Sequence, residues 1–417
     1  MKELLALFDP VLAFFSGDNW KMIIMWVIGG VLIYLAIKKE MEPTLLLPIG
    51  FGAILMNFPG VVSEKIQYMC GICEKIYREN PGVCCGGSAD YIVEQTVPVY
   101  HGIAEPLHEL YNAGIANELF PLLLFIGIGA MIDFGPLLSN PKLMIFGAAA
   151  QFGIFFTLCM ASIFFPEAKD YASIAIIGAA DGPTSIVVAN ALGSNYVGAI
   201  TVAAYSYMAL VPIIQPPVIK LLTTKGERRI RMNYSAKSVT KTTKILFPII
   251  ISIVACVFVP SAGSLIGFLM FGNLIRECGV LESISETAQK VLANLVTIFL
   301  GITIAFNMNA SQFLALETLL ILGLGLVAFV VDTAGGVLFA KLYNLIMKLL
   351  GKPLINPMIG AAGISAFPMA GRIVHKLGLE EDNQNFLLMH SIGVNVSGQI
   401  ASVIAGSLVL SMFLPLV

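Results

Sequence analysis

The sequence predicts an all-α polytopic membrane protein, built from two inverted-topology repeats whose broken or re-entrant helices meet near the bilayer midplane. Three observations lead to this prediction. Only 12% of the residues are charged and 57% are hydrophobic, whereas charged residues make up about 25% of a typical soluble domain. Apolar segments recur in two sets with the same internal order. Several of these segments contain glycine and proline, which interrupt a continuous helix.

The apolar segments form two sets of six, separated by a polar stretch. A helix needs about 20 apolar residues to cross a bilayer, and shorter runs can be re-entrant. Segment 119–132 is therefore too short for a full crossing, and segment 172–192 is expected to be broken. The first set covers 22–37, 44–62, 119–132, 143–165, 172–192 and 198–219, and the second covers 245–260, 263–275, 292–306, 318–347, 354–371 and 385–416.

Short motifs occur in the same order in both sets. Ile-Gly-Phe at 49–51 recurs at 266–268, with an asparagine downstream in each case (Asn57 and Asn273). Phe-Ile-Gly-Ile at 125–128 recurs as Phe-Leu-Gly-Ile at 299–302, followed at the same offset by Asp133 and Asn307. Gly-Ala-Ala at 178–180 recurs at 360–362. The shared order predicts an internal repeat, with one copy in 1–219 and the other in 245–417.

The linker 220–244 contains eight Lys or Arg residues and a single acid, Glu227. The positive-inside rule makes this linker cytoplasmic. Lys38 and Lys39 place the first loop inside as well, so the N-terminus is expected outside. An odd number of crossings in the first repeat then inverts the second one. In such folds interrupted helices from both halves build an ion site.

An insert at 63–118 interrupts the first repeat and carries eight acids against three bases. The predicted topology places it outside, where disulfides can form. Its cysteines are expected to staple an external cap, with zinc binding and free thiols as the alternatives. They are Cys70, Cys73, Cys84 and Cys85.

Asp181 is the only charged residue in the apolar stretch 171–192. A carboxylate at the centre of a membrane span costs about 2.5–3.5 kcal/mol on insertion scales, so it calls for a functional role. The Gly-Pro pair directly after it breaks the helix and frees carbonyl groups. With the hydroxyl groups of Thr184 and Ser185 nearby, these features predict a Na⁺ site.

The stretch 356–372 is the counterpart of the Asp181 segment and holds two prolines and three glycines in 17 residues. Asn356 and Ser365 offer neutral oxygens that suit a cation already balanced by one carboxylate. Arg372 lies two turns after Ser365, either as an interfacial anchor or as a binding point for an anionic group near the site entrance.

Two further polar residues lie in apolar spans. Tyr207 either packs between helices or hydrogen-bonds into the site and relays a proton. Asn395 either joins helices through hydrogen bonds or belongs to the ion site. The histidines do not cluster with a zinc spacing, and a Ser-His-Asp order and a dinucleotide fingerprint do not occur. A Walker loop does not occur either, so ATP-driven pumping is not expected. On these features alone a Na⁺-coupled secondary transporter of an organic anion is an alternative function.

The motif at 178–184, the run Tyr-Ser-Tyr-Met-Ala-Leu-Val-Pro-Ile-Ile-Gln-Pro-Pro at 205–217 and the stretch 356–372 together resemble the β subunit of the sodium-ion-translocating, biotin-dependent decarboxylases. That family includes the membrane subunits of oxaloacetate, methylmalonyl-CoA and glutaconyl-CoA decarboxylases. The resemblance implies a multi-pass protein of the bacterial cytoplasmic membrane that decarboxylates carboxybiotin, consumes a proton and exports Na⁺.

The resemblance also implies roles and partners. It assigns Na⁺ binding to Asp181, Asn356, Gly360, Ser365 and Asn395, and places Tyr207 and Arg372 near proton transfer or carboxybiotin. The carboxybiotin is expected to arrive on a partner carrier, because no Met-Lys-Met biotinylation sequence occurs here. A carboxytransferase, a small single-span subunit and further copies of this chain are the other expected partners.

Two features depart from the family pattern. The insert is longer and richer in cysteine than the family leads one to expect. The last helix reads Val-Asn-Val-Ser-Gly-Gln at 394–399, where the family is expected to have Pro-Asn-Val-Ala-Gly-Val. This second departure adds polar atoms beside Asn395.

Overall fold

The computed structural model describes residues 20–40, 42–70, 76–77, 92–232 and 239–416. Cys73, Cys84 and Cys85 lie outside the described residues, as does the side chain of Cys70, so their pairing stays a prediction.

The helices of the first half are α1 (Trp20–Lys38), α2 (Pro43–Met56), α3 (Ala104–Tyr111), α4 (Leu119–Met131), α5 (Gly135–Ser139), α6 (Met144–Ala150), α7 (Phe152–Phe164), α8 (Ala168–Ala175), α9 (Gly182–Ala191) and α10 (Val197–Leu222). Those of the linker and the second half are α11 (Lys225–Arg228), α12 (Lys241–Phe258), α13 (Gly263–Glu277), α14 (Glu282–Glu286), α15 (Ala293–Ile304), α16 (Ala310–Phe313), α17 (Leu316–Leu349), α18 (Met358–Ala361), α19 (Met369–Glu381) and α20 (Leu388–Phe413).

Within the described ranges, seven helical stretches are long and apolar enough to cross a bilayer, which confirms an integral membrane protein. They are Trp20–Lys38, Pro141–Phe164, Val197–Leu222, Lys241–Phe258, Glu282–Asn307, Leu316–Leu349 and Leu388–Leu416. The pair Ala104–Ala116 and Leu119–Met131 bends by 61° and is either a broken span or a re-entrant loop. The short segment 119–132 is therefore not a simple crossing, as its length predicts.

The insert adds a small sheet that the sequence analysis did not predict. Strand β1 (Val62–Cys70) lies between β2 (Ile76–Tyr77) and β3 (Ile92–Tyr100), and both of its neighbours are antiparallel to it. The β1–β3 register runs from Val62 opposite Tyr100 to Cys70 opposite Ile92. The segment 92–100 is rich in β-branched and aromatic residues (Ile92, Val93, Thr96, Val97, Val99 and Tyr100). Such residues favour strands, and this composition was the overlooked signal.

Helix packing follows the predicted repeat. In the first half α1 packs on α2, and in the second half α12 packs on α13. Across the halves, α2 packs on α15 while α13 packs on α4. The broken segments are placed alike, because α9 contacts α10 and α20 while α19 contacts α20 and α10. Each of these contacts has a counterpart in the other half, as a repeat requires. The repeat and the inverted orientation of its second copy stay predictions.

Two asparagines that mark the repeat in sequence have matching roles in the structure. Asn57, directly after α2, donates its amide to the carbonyl oxygen of Met308 at 2.7 Å. Asn273, in α13, donates to the carbonyl oxygen of Ile132 at 2.8 Å. Each amide therefore binds carbonyl groups that follow the third apolar segment of the opposite repeat. Buried amides satisfy freed backbone groups at places where water is absent.

Glycines bring the broken segments close to the helices behind them. A Cβ added to Gly178 would lie 3.0 Å from the backbone nitrogen of Ile154 in α7. A Cβ added to Gly360 would fall on the backbone of Gly336 in α17, far inside van der Waals contact. Gly178 and Gly360 hold matching places in the predicted repeat, so a close approach occurs in both halves.

Candidate functional site

The first broken segment consists of α8, a short 3₁₀ turn at Ile176–Ala179 and α9. Ala180 has the left-handed conformation with φ of 52°, and Asp181 is extended before α9 begins. Pro183 falls in the first turn of α9, where its missing N–H costs nothing. Asp181 therefore lies at the N-terminus of a helix, whose dipole favours a negative charge.

Three side chains donate hydrogen bonds to a single oxygen of Asp181. Thr184 Oγ1 lies 2.7 Å from Oδ2, and both Gln399 Nε2 and Ser402 Oγ lie 3.1 Å from the same atom. Thr184 belongs to α9, whereas Gln399 and Ser402 belong to α20. Asp181 is only 2% exposed. The carboxylate is thus withdrawn from bulk water but supplied with neutral donors, the environment in which a buried charge is tolerated.

The second broken segment meets the first at Ser365, between α18 and α19. The Ser365 backbone N–H donates to the Ala179 carbonyl oxygen at 3.3 Å, and its hydroxyl donates to that of Gly398 at 3.0 Å. Asn395 of α20 donates its amide to the carbonyl oxygens of Ala362 and Ile364. Helix α20 therefore connects the two breaks, reaching the second through Asn395 and the first through the donors to Asp181.

One polar atom of the Asn395 side chain is available for a further contact. Its Oδ1 is buried and has no hydrogen-bond partner among the described residues. A buried acceptor without a partner is costly and calls for an explanation such as an ion or a water molecule. Asp181 and Ser365 thus lie where the two breaks meet, and Asn395 holds the second break by its backbone without lining the cavity beside Asp181.

A cavity of about 310 Å³ extends from Asp181 to Arg372. Its polar lining includes Asp181, Tyr205, Gln289, Asn294, Ser365, Arg372, Gln399 and Glu42. Burial raises the pKa of Glu42, in the loop between α1 and α2, and the nearby Arg372 guanidinium opposes this shift. Within the described part of the chain, no three His, Cys, Asp or Glu residues are grouped as ligands of one metal ion. The cavity thus joins a single buried carboxylate to an exposed cation.

The tyrosine beside Asp181 is Tyr205, not Tyr207. A Cβ added to Gly182 would lie 2.5 Å from the Tyr205 ring, and Tyr205 lines the cavity. Its hydroxyl is buried and has no partner within the described chain. Tyr207 instead donates its hydroxyl to the carbonyl oxygen of Leu322 in α17. Residues two positions apart on a helix are rotated by about 200° around its axis. The side chains of Tyr205 and Tyr207 therefore project from opposite sides of α10.

Asn356 lies outside the cavity lining, in contrast to its expected role as a Na⁺ ligand. Its amide donates to the carbonyl oxygens of Arg228 and Ile230 at 2.8 and 3.0 Å, and its Oδ1 accepts the Met358 N–H at 3.1 Å. All of its polar atoms are therefore occupied by backbone. Gly360 also lies outside the cavity lining, since it is packed against Gly336. In this structure Asn356 anchors the linker and Gly360 allows two backbones to approach.

Ion pairs also hold the linker to the end of α19. Arg228 bonds Glu381 at 2.6 Å and Arg231 bonds Asp382 at 2.7 Å. The hydrogen bond from Arg231 lowers the pKa of Asp382 below its usual value, and that from Arg228 does the same for Glu381. Because both carboxyl pKa values are lowered, the pairs are charged at neutral pH and are lost only as the pH falls through these values. The linker thus contacts the second broken segment.

We expect Asn356→Ala to loosen the linker without changing the Na⁺ concentration needed for activity. Removing two hydrogen bonds worth about 1 kcal/mol each should raise trypsin cleavage after Arg228 and Arg229 about thirtyfold, since cleavage follows local opening. Asn190→Ala, which removes an amide bonded to the Ile115 carbonyl oxygen, serves as the control. Unchanged cleavage combined with a raised Na⁺ requirement would restore Asn356 to the ion site.

Sequence reasoning noted the polar atoms of Gln399 but did not connect them with Asp181, and it did not consider Ser402 or Asp332. Gln399 and Ser402 touch Asp181 from 218 and 221 residues away, and polar residues every three to four positions along α20 were the available signal. Asp332 of α17 is fully buried and accepts the backbone N–H of Gly153, at the start of α7. The free N–H groups and the dipole at a helix N-terminus favour a carboxylate from a neighbouring helix. Asp133, by contrast, bonds Lys244 and the Gly135 N–H and does not line the cavity.

Comparison with known proteins agrees with these features. The family model described as the Na⁺-transporting oxaloacetate decarboxylase beta subunit matches residues 21–413. The methylmalonyl-CoA decarboxylase subunit beta of Propionigenium modestum is 47% identical over 403 residues, which cover 96% of each chain. The probable oxaloacetate decarboxylase beta chain of Vibrio cholerae is 45% identical over 94% of this chain and 95% of its own length.

A further relative is the methylmalonyl-CoA decarboxylase subunit beta of Veillonella parvula. It is 45% identical over 96% of this chain and 94% of its own length. A full-length match to the family model, with identities this high over nearly complete chains, goes beyond shared membrane composition. This chain belongs to the family of Na⁺-transporting oxaloacetate decarboxylase beta subunits and is the membrane subunit of a sodium-pumping decarboxylase.

Proposed function

We propose that this subunit couples the decarboxylation of carboxybiotin, which consumes a proton, to Na⁺ export, and that Asp181 carries both ions in turn. The observation that supports this most directly is the cavity that joins the buried Asp181 carboxylate to the Arg372 guanidinium. One end suits a small cation and the other suits an anionic substrate group. Moving one charge against 100 mV costs about 2.3 kcal/mol, so export needs a driving reaction.

Asp181 supplies the exchange step. One carboxylate cannot hold Na⁺ and a proton at once, so a proton arriving from outside displaces the ion. The Na⁺ ligands are the Asp181 carboxylate, the Ser365 hydroxyl and Asn395 Oδ1, with freed carbonyl oxygens of the two breaks. Ser365 and Asn395 are tied to the breaks by hydrogen bonds, so movement of the repeats against each other alters the site.

Arg372 is the binding point for the carboxylate of carboxybiotin. Its planar guanidinium suits a carboxylate, and it lies in the same cavity as Asp181. At about 310 Å³ the cavity is at the lower end of the range of small-molecule sites and larger than a bare ion requires. When the N–CO₂ bond breaks, CO₂ leaves and the ring nitrogen takes up one proton, which Asp181 delivers on the inward-open side.

The two tyrosines of α10 have different parts in this scheme. Tyr205, whose buried hydroxyl is free to bond a substrate or a water molecule, lies on the proton path. Tyr207 affects the site only indirectly, because its hydroxyl bonds a carbonyl oxygen of α17 and so connects α10 to α17. Tyr205 thus takes the proton-transfer role that the family resemblance implies for Tyr207.

The orientation and partners follow from the family and the charge distribution. The basic linker lies in the cytoplasm and the N-terminus outside, in the cytoplasmic membrane of a bacterium. A biotin carrier brings carboxybiotin to the cavity from the cytoplasm, and a carboxytransferase loads that carrier. A small single-span subunit and further copies of this chain complete the assembly.

The test is reconstitution of the purified complex in liposomes with its acyl substrate. The proposal requires CO₂ release that depends on Na⁺, together with Na⁺ accumulation inside the vesicles when the catalytic face points outward. The lone subunit should show no exchange of organic anions across the membrane. Anion counterflow by the lone subunit, without any biotinylated carrier, would instead identify a secondary transporter.

A further inference from the structure

We infer that Gln399 sets the Na⁺ affinity of this site, because it helps to occupy one carboxylate oxygen of Asp181 and so leaves the other, Oδ1, to exchange Na⁺ for a proton. The inference rests on the proposed function and assigns a role to one residue within it. The family pattern leads one to expect valine at this position, so Gln399→Val is one of the variants in the test.

The geometry around Asp181 separates its two oxygens. Thr184, Gln399 and Ser402 all donate to Oδ2, at 2.7, 3.1 and 3.1 Å. A carboxylate oxygen offers about two lone-pair sites, so three donors leave Oδ2 no capacity for a cation. None of these three bonds reaches Oδ1. Gln399 is 1% exposed and lines the cavity together with Asp181.

The amide favours Na⁺ over the proton for an electrostatic reason. An N–H donor stabilises the ionised carboxylate and gives much less to the neutral acid. Na⁺ binding needs the ionised form, whereas proton binding removes it. A donor held against Oδ2 in a water-poor site therefore increases the Na⁺ affinity relative to the proton affinity. Without it, a larger share of the sites is protonated at the same pH and Na⁺ concentration.

The test replaces Gln399 in the intact, purified decarboxylase complex. Gln399→Leu keeps the approximate volume and removes the donor, and Gln399→Val introduces the residue expected from the family. Both variants should need about tenfold more Na⁺ for half-maximal CO₂ release, the loss expected for one hydrogen bond to a charged group. The maximal rate at saturating Na⁺ should stay within about twofold of the wild type, because the same carboxylate still performs the exchange.

Direct binding gives a second readout that does not depend on turnover. Equilibrium dialysis with radioactive Na⁺ should show the same increase in dissociation constant. Ser402→Ala should raise the Na⁺ requirement in the same direction. Combined with Gln399→Leu it should give a non-additive effect, since both donors act on one oxygen.

Gln215→Leu is the matched control. Gln215 is a buried glutamine of α10 whose Nε2 donates at 2.7 Å to the carbonyl oxygen of Ala361, in the second broken segment. Its loss should reduce thermal stability without changing the Na⁺ concentration for half-maximal activity.

The inference is overturned if Gln399→Leu and Gln399→Val leave the Na⁺ dissociation constant unchanged, or lower only the maximal rate, as a packing residue would. A wild-type complex without any Na⁺ dependence would instead refute the proposed function itself. If neither Gln399 variant assembles into the complex, Ser402→Ala is the test instead. It removes a donor from the same oxygen of Asp181, and alanine is smaller than serine.

Discussion

Asp181→Asn is expected to abolish Na⁺-dependent CO₂ release. The carboxamide has nearly the same shape but carries no charge, so it cannot balance a bound cation or accept a transferable proton. Its amino group would also meet three donors if it took the place of Oδ2. Removing one partner of a buried charge pair costs about 3–5 kcal/mol, so the rate at physiological Na⁺ should fall on the order of a hundredfold or more.

Asp332→Asn is the control for that experiment. Asp332 is also a fully buried carboxylate in a membrane helix, but it caps the start of α7 by accepting the Gly153 N–H. Asparagine keeps a carbonyl oxygen that can accept this N–H, and Asp332 does not line the cavity, so Asp332→Asn should keep most of the activity while Asp181→Asn loses it. Both rates are measured as CO₂ release at saturating and at limiting Na⁺. Near-normal, Na⁺-dependent release by Asp181→Asn would refute its assigned role.

Gly336→Ala should destabilise the subunit severely. The added Cβ falls on the carbonyl oxygen of Gly360, so α17 and the second broken segment must separate. Overpacking of a close backbone contact typically costs about 1–3 kcal/mol. Separation here also moves the segment that carries Ser365 and Arg372. A lower yield of folded complex, a lower melting temperature in detergent and loss of coupled activity are all expected.

Gly323→Ala provides the comparison on the same helix. A Cβ at Gly323 has no heavy atom within 4 Å, and alanine favours helices over glycine by about 1 kcal/mol. Gly323→Ala should therefore match or exceed the wild type in melting temperature. Equal stability of Gly336→Ala and Gly323→Ala, measured by thermal challenge followed by size-exclusion chromatography, would contradict the crossing of α17 and the second broken segment.

The features that could be predicted from the sequence are those with a local physical cause. Asp181 is identified by the cost of a charge in an apolar span, and the break beside it by the Gly-Pro pair. The equivalence of Asn57 and Asn273 was visible as a repeated motif, and the structure shows that both amides bind the opposite repeat. These predictions needed no knowledge of how the helices are arranged.

The features that could not be predicted depend on the arrangement of distant segments. Tyr205 and Tyr207 are chemically alike and two residues apart, so only the position of α10 decides which one faces Asp181. Gln399 becomes a partner of Asp181 because α20 passes both breaks. Asn356 looks like an ion ligand in sequence, but the path of the linker brings the Arg228 carbonyl oxygen to its amide.

The central claim is that Asp181 binds Na⁺ through Oδ1 where the two broken segments meet. An experimental structure of the intact complex in high Na⁺, at a resolution that reveals bound ions, tests it most directly. The expected result is a Na⁺ ion bound to Asp181 Oδ1, with Ser365 or Asn395 among its other ligands and Gln399 still bonded to Oδ2. A side chain of Asp181 that faces lipid, or a Na⁺ ion bound elsewhere with Asp181 uninvolved, would contradict the claim.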